Sequence, residues 1–180
     1  CQAIVFLKVQ VKLTMNKESR KTIYQNIELP FGSPVLGILE RTGTPGEYTE
    51  PDCLHFHNHL EIGYCYYDNV HMQIDDTKLL YSSNTFTVIP RGLPHMTSSN
   101  DKIGYLWEYL FIDVNGFLLD IYKNNSHMAN HLITRINQQA HMAKASEQQE
   151  IASLICKILN VIREQKDFYL EEARGLVLSL

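Results

Sequence analysis

The sequence is short of the features that announce a specialised class. Its 180 residues hold one tryptophan, Trp107, and four cysteines, Cys1, Cys53, Cys65 and Cys156, none of them in a C-x-x-C pair. Neither a zinc ribbon nor a disulfide framework can organise such a chain, and a reducing cytoplasm is the expected compartment. Basic residues are not in excess: 16 Lys and Arg stand against 20 Asp and Glu, a formal net charge of -4. Phosphate binding needs a local surplus of Lys and Arg, so if the whole protein touches DNA, another segment does so. Apolar runs are too short for a bilayer, and the one from Ile4 to Leu7 is cut by Lys8 and Lys12, so neither a membrane segment nor a secretion signal is read. No repeat and no low-complexity tract is visible.

What remains is 44% hydrophobic and 20% charged, the mixture of a soluble globular chain long enough for one domain with a sizeable core. From Val35 to Asp113 short β-prone runs follow one another: VLGILER, EIGYCYY, VHMQI, KLLYS, TFTVI and YLWEYLFI. Such spacing predicts an antiparallel sandwich or barrel. Asp68-Asn69, Asp75-Asp76 and Ser83-Asn84 tolerate positive φ and bond their own backbone, so each is expected to close a tight hairpin.

After Asn115-Gly116 the texture turns helical. Ile151, Leu154, Ile155, Ile158, Leu159 and Ile162 recur at three-and-four spacing, predicting a helix over 146–163 with Ser146 and Gln149 as its capping box. Leu132, Ile133 and Ile136 suggest a shorter helix before it, and Asp167 is expected to cap a last one through Leu170, Ala173, Leu176 and Val177. The apolar face could pack on the barrel or on a second subunit. The chain opens on Cys1, and Met15-Asn16-Lys17-Glu18 would serve as a translation start, so residues 1–14 could lie upstream of it. Leu176 to Leu180 stop within an apolar helical pattern, and the polypeptide is expected to continue.

The chemistry gathers in two places. His55, His57 and Glu61 are all odd-numbered, so on one extended strand they would share a face, expected to be the barrel interior. Thirty residues on, Pro90-Arg91-Gly92-Leu93-Pro94-His95 bends tightly and delivers another imidazole. Three imidazoles and one carboxylate suit a divalent first-row metal.

These residues resemble the two signature motifs of the cupin superfamily, His-x-His-x-x-x-Glu and Pro-x-Gly-x-x-His. Asp68 or Asn69 and Asn84 stand where those motifs usually have glycines, and the closing asparagine is displaced, with Ser99 in its place and Asn100 one residue late. The phrase HFHNHLEIGYCYYDNVHMQID, the segment IPRGLPHMTSSNDKIGYLWEYLFID and the helices after them resemble more closely the sensor domains of AraC-type regulators. The resemblance implies a fold that is mostly β with C-terminal α: a cupin (double-stranded β-helix, jelly-roll) barrel followed by two or three helices. It divides the chain into an extension over 1–28, a barrel over 29–115 and a helical dimerisation or linker region over 116–180, ahead of a DNA-binding half.

The implied function is the binding of a small effector, a carbohydrate or another metabolite, by a homodimer joined through its helices, with DNA read only by the absent half. The expected pocket comprises His55, His57, Glu61, His95, Cys65, Tyr67 and Trp107. A divalent metal on His55, His57, Glu61 and His95 is one reading; the other is that these groups bond one another or an effector, with no cofactor required. His59 is read as a rim histidine, Gly63, Cys65 and Tyr67 as lining the barrel deeper in, and Cys65 as a small buried hydrophobe. Trp107, in a run whose alternation puts the aromatics on one face, is either a stacking platform or core packing. His71, His127, His131 and His141 are read as solvated. The rival reading is a single-domain metal-dependent cupin enzyme, an isomerase or a dioxygenase.

Overall fold

A computed structural model describes residues 10–14, 22–43, 54–67, 69–98 and 105–180, with side chains described throughout these except at 10–14, 41–43, 69–71, 81, 98 and 105. Expectations resting on Cys1, Met15 to Glu18, Cys53, Asp68, Ser99, Asn100 and the side chains of His71 and Tyr105 lie outside the described residues.

The strands are β1 (Gln10–Thr14), β2 (Thr22–Asn26), β3 (Val35–Gly43), β4 (His55–His57), β5 (Leu60–Tyr67), β6 (Asn69–Ile74), β7 (Thr77–Ser82), β8 (Thr85–Ile89), β9 (His95–Ser98), β10 (Tyr105–Ile112) and β11 (His141–Lys144). They form a six-stranded sheet in the order β1-β2-β4-β9-β6-β7 and a five-stranded sheet in the order β11-β8-β5-β10-β3. Pairing is antiparallel except between β2 and β4. The result is the mostly β, two-sheet cupin-type barrel with trailing helices that the sequence implied.

The central strands of the five-stranded sheet are buried on both faces, which is why their runs read as almost continuously apolar. Even-numbered residues, among them Leu60, Ile62, Tyr64, Phe86, Leu110 and Ile112, pack outward into a core shared with the helices. Odd-numbered ones, Cys65, Ile89, Trp107, Tyr109 and Phe111, point inward and meet Met72 of the other sheet. Beyond residue 29 on its N-terminal side, β2 already belongs to the barrel through its pairing with β4, and β11 brings the helical region back to pair with β8.

Of the three expected hairpins, Asp75-Asp76 closes β6 onto β7, with Ile74 opposite Thr77 and Asp75 at φ 48°. Ser83-Asn84 does turn, with Asn84 at φ 55°, but β7 and β8 lie in different sheets, so the turn hands the chain across the barrel. β5 and β6 also lie in different sheets, and the turn expected between them falls outside the described residues. Asn84 is held there by its amide on the Cys65 carbonyl and by its own carbonyl accepting from Ala145.

Four helices follow among the described residues, one more than the two or three expected: α1 (Val114–Ile121), α2 (Ser126–Ile136), α3 (Gln149–Glu164) and α4 (Tyr169–Ser179). The extra one is α1, capped by the Asp113 carboxylate on the Gly116 amide. The capping box at Ser146 does not form: α3 begins only at Gln149, after Gln148, with no side-chain cap. Asp167 does not cap α4 either, because Phe168 intervenes in a left-handed conformation at φ 63°. No helix among the described residues is long and apolar enough to cross a membrane.

The stripe of α3 lies on the chain's own sheet, with Ile155, Ile158 and Leu159 wholly buried. Its C-terminal half crosses β3 at Gly37, where an added Cβ would stand 3.0 Å from the Ile162 side chain. Burial of this stripe predicts that Ile158→Ala lowers the unfolding free energy by about 3 kcal/mol, whereas the neighbouring exposed Lys157→Ala stays within about 0.5 kcal/mol. Urea denaturation measures both; equal effects would mean that α3 is not docked on the sheet.

Candidate metal centre

The first motif does not lie on one strand. His55 and His57 sit on β4 of the six-stranded sheet, whereas Glu61 sits on β5 of the five-stranded sheet. The two-residue break between them is Asn58-His59. Asn58 makes it by taking over the backbone of Ile27, accepting from its amide at 2.8 Å and donating to its carbonyl at 3.1 Å. Convergence therefore comes from a crossing between sheets and not from face parity along a single strand.

His95 reaches the site by cross-strand pairing. It is the direct partner of His55 between β4 and β9, and directly opposed residues of an antiparallel pair project from one face. The turn before it spans Pro90 to Leu93, with Gly92 at φ 75°, a conformation that favours glycine, and the Gly92 amide donates to the His57 carbonyl at 2.9 Å. The second motif is thus tied by its backbone to the first.

One donor atom each from His55, Glu61 and His95 come within 4.8 Å of one another. Glu61 is 3% exposed and His57 and His95 are 1% exposed, while His55 is half-buried and opens the site outward. His57 Nε2 lies 3.0 Å from Glu61 Oε2 and His95 Nε2 lies 3.4 Å from the same oxygen. Of the four expected ligands, His57 is the one that stands outside the donor trio, where it holds the Glu61 carboxylate.

The opposite ring nitrogens decide what these contacts mean. His57 Nδ1 is 2.7 Å from the His59 carbonyl and His95 Nδ1 is 2.9 Å from the Leu93 carbonyl. A carbonyl oxygen only accepts, so both Nδ1 atoms donate, and a neutral ring then turns the Nε2 lone pair toward Glu61. Lone pair and carboxylate can face each other only with a proton or a cation between them. Nε2 of His95 is a buried nitrogen without a hydrogen-bond partner. Backbone-anchored imidazoles with inward Nε2 atoms are the arrangement that suits a metal ligand. The residues fit a divalent ion held by His55, Glu61 and His95.

Charge follows the same geometry. Burial opposes ionisation of Glu61, but the His95 and His57 imidazoles outweigh it and hold its carboxyl well below the usual range. Burial also works against a charged His95, and the Glu61 carboxylate overcomes it and raises the imidazole. His59 is lowered, by its burial first.

The remaining expected pocket residues fare differently. Cys65 and Trp107 both point inward, but the indole Nε1 donates to the Cys65 sulfur at 3.1 Å and its ring stands edge-on to Tyr109. Trp107 is thus packed in the core and only 6% exposed. Tyr67 does not line the barrel and is 48% exposed. Between β5 and β10 the register slips from Cys65 opposite Trp107 to Tyr67 opposite Leu106, so Tyr66 is an extra residue that reverses the alternation beyond it. His127, His131 and His141 are exposed as expected.

Sequence reasoning missed a second buried carboxylate, Glu108, although a lone acid in an otherwise apolar run was its signal. Glu108 is 1% exposed and faces the helices. It receives Arg163 of α3 at 2.5 and 2.7 Å, the Tyr66 hydroxyl at 2.7 Å and the Glu40 amide at 3.2 Å. Glu40 belongs to a second bulge, in β3, where two residues face one of β10 and Glu40 adopts φ 53°. One carboxylate therefore closes both bulges and fastens α3 to the sheet.

Two outcomes follow from this cluster. Arg163→Ala leaves Glu108 short of its cation and is expected to cost about 2–3 kcal/mol in urea denaturation, and adding Glu108→Gln recovers most of it; additive losses would contradict the linkage. Burial pushes the Tyr64 hydroxyl up to about 12 and raises that of Tyr66 as well, helped by Glu108. A folded value above the unfolded one, about 10, stabilises the protein below that pH, and the stabilisation is lost as pH rises through the folded value. Ultraviolet titration should show these two phenols ionising only with unfolding.

No family model matches the chain, and no curated protein matches it. Solved structures do resemble it. Oxalate decarboxylase from Bacillus subtilis is 21% identical over 45% of this chain and 21% of its own, at a TM-score of 0.37. The EutQ protein of Clostridium difficile is 20% identical over 43% of this chain and 52% of its own, at 0.29. A cupin 2 conserved barrel domain protein from Salinispora arenicola is 11% identical over 58% of this chain and 76% of its own, at 0.32. The match thus spans about a fifth of the oxalate decarboxylase chain, and the fold assignment rests on this chain's own strand order.

Proposed function

We propose that this chain is the metal-holding sensory barrel of an AraC-type transcription regulator, binding a small effector, a sugar or another metabolite, at the open side of the ion. The observation that carries the metal is the convergence of His55, Glu61 and His95, with the buried His95 Nε2 turned to Glu61 at 3.4 Å without a well-formed hydrogen bond. When bound, a divalent ion supplies Lewis acidity and open coordination positions to an oxygen-bearing ligand. His55 would be the ligand at the mouth, Glu61 the one anionic donor, and His57 the group that orients Glu61 from behind.

The sensory part is supported by the way the site's sheet is attached. Glu61 lies on β5 directly opposite Phe111 of β10, and Glu108 on β10 carries the Arg163 clamp to α3. A ligand that prefers one setting of β5 and β10 shifts the population of helix positions with it. A homodimer would have to use faces other than the buried stripe of α3, such as that of the exposed Phe168 before α4. DNA contact belongs to residues outside this sequence, and the cytoplasm is the compartment in which such a regulator works.

The rival, a metal-dependent cupin enzyme, is favoured by the same donors, which a purely sensory barrel would not need. One measurement tests the metal shared by both readings, and two more separate them. Metal-free protein should take up one divalent ion per chain in calorimetric titration, with affinity falling at least about 100-fold in His55→Ala and by a smaller factor in His57→Ala. Retention of affinity in His55→Ala contradicts the metal assignment. Metal-dependent turnover of a sugar or small acid, lost with the ion, makes the enzyme reading the correct one. Two helix-turn-helix patterns within roughly a hundred residues after Leu180 are expected in the coding sequence, and their absence overturns the regulator.

A further inference from the structure

A cavity of about 450 Å³ lies on the other side of the five-stranded sheet from the metal centre. Its floor is the outward face of β5 and β8, including Ile62 and Val88, and its walls are Ile155 of α3 and Val177 of α4. The volume is that of a small-molecule site. It is not lined by apolar groups alone. Gln139, His141 and Gln148 border it together, and Gln148 Nε2 and His141 Nε2 stand 3.0 Å apart. None of the described lining residues is Lys, Arg, Asp or Glu.

We propose that this cavity binds a small neutral amphiphile, with a compact apolar body between the sheet and α3 and α4 and one hydroxyl or carbonyl group at Gln139, His141 and Gln148. An apolar body gains by displacing water from side chains such as Ile62, Val88 and Ile155. At this solvent-accessible end no described lining residue offers a charged head an ion pair, whereas a neutral head finds both donors and acceptors in the amide and imidazole groups. The exposed Leu178, at the rim, is 59% accessible and offers the entering molecule an apolar contact. The site is independent of the ion, yet the two share a strand: Leu60 and Ile62 line the cavity and Glu61 between them faces the barrel.

Naphthol and naphthoate test this, because they share an apolar body and differ in the charge of the head. Calorimetric titration into the full chain should show naphthol binding at one site in the micromolar range, with naphthoate at least about tenfold weaker. Val177→Phe, which fills the space, should abolish naphthol binding, and the surface pair His141→Ala/Gln148→Ala should weaken it by roughly tenfold. Thermal unfolding of each variant confirms that it is folded. Metal-free and metal-loaded protein should bind naphthol alike, so the two assignments fail separately. Absence of binding, equal binding of naphthoate, indifference to Val177→Phe, or protection of the cavity only by association of a second copy on sizing would each overturn the proposal.

Discussion

Burying the carboxylate of Glu61 is the constraint from which the barrel's open end is organised. An ionised carboxylate removed from water costs several kcal/mol unless opposite charge and hydrogen bonds meet it, and Glu61 is 3% exposed. No single strand can surround it. The chain meets the requirement by crossing between sheets at Asn58-His59, so that Glu61 on one sheet faces His57 and His95 on the other. The Gly92 amide on the His57 carbonyl and the Nδ1 bonds to the carbonyls of His59 and Leu93 then fix both rings. With both Nδ1 atoms donating, each Nε2 meets Glu61 either as a protonated donor or across a bound cation, and the half-buried His55 leaves a way in for the cation.

A second buried carboxylate serves the other face of the same sheet. Glu108 offsets its burial by collecting the donors freed by two bulges, the Glu40 amide and the Tyr66 hydroxyl, together with Arg163 from α3. The five-stranded sheet thus carries a charged group toward each of its two cores, with the donor cluster inside and the helix clamp outside. Glu61 and Glu108 lie on the paired strands β5 and β10. The apolar cavity beside α3 and α4 opens on this same shared layer.

Much of this was legible in the sequence, and the failures have physical causes. The β runs, the helix over Ile151 to Ile162 and the two motifs were readable because each depends on local periodicity or on turn residues such as Gly92. His55, Glu61 and His95 were found by motif, although the parity argument assumed one strand where Asn58 breaks it. Parity failed outright at Tyr67, because the bulge at Tyr66 depends on partners in β10 and leaves no mark on local pattern. The capping box at Ser146 failed because tertiary pairing keeps the preceding segment on the sheet as β11, and Ala145 bonds to Asn84 before the helix begins. The role of Glu108 needed knowledge of what lies opposite it, and Arg163 is 55 residues away.

A divalent cation is expected between His55, Glu61 and His95. Crystals grown with zinc and measured at the zinc absorption edge address it directly. One anomalous peak per chain is expected at coordination distance, about 2.0–2.1 Å, from imidazole nitrogens of His55 and His95, with a Glu61 oxygen completing the set. A peak elsewhere, or none while the contact from His57 to Glu61 persists unchanged, would contradict it.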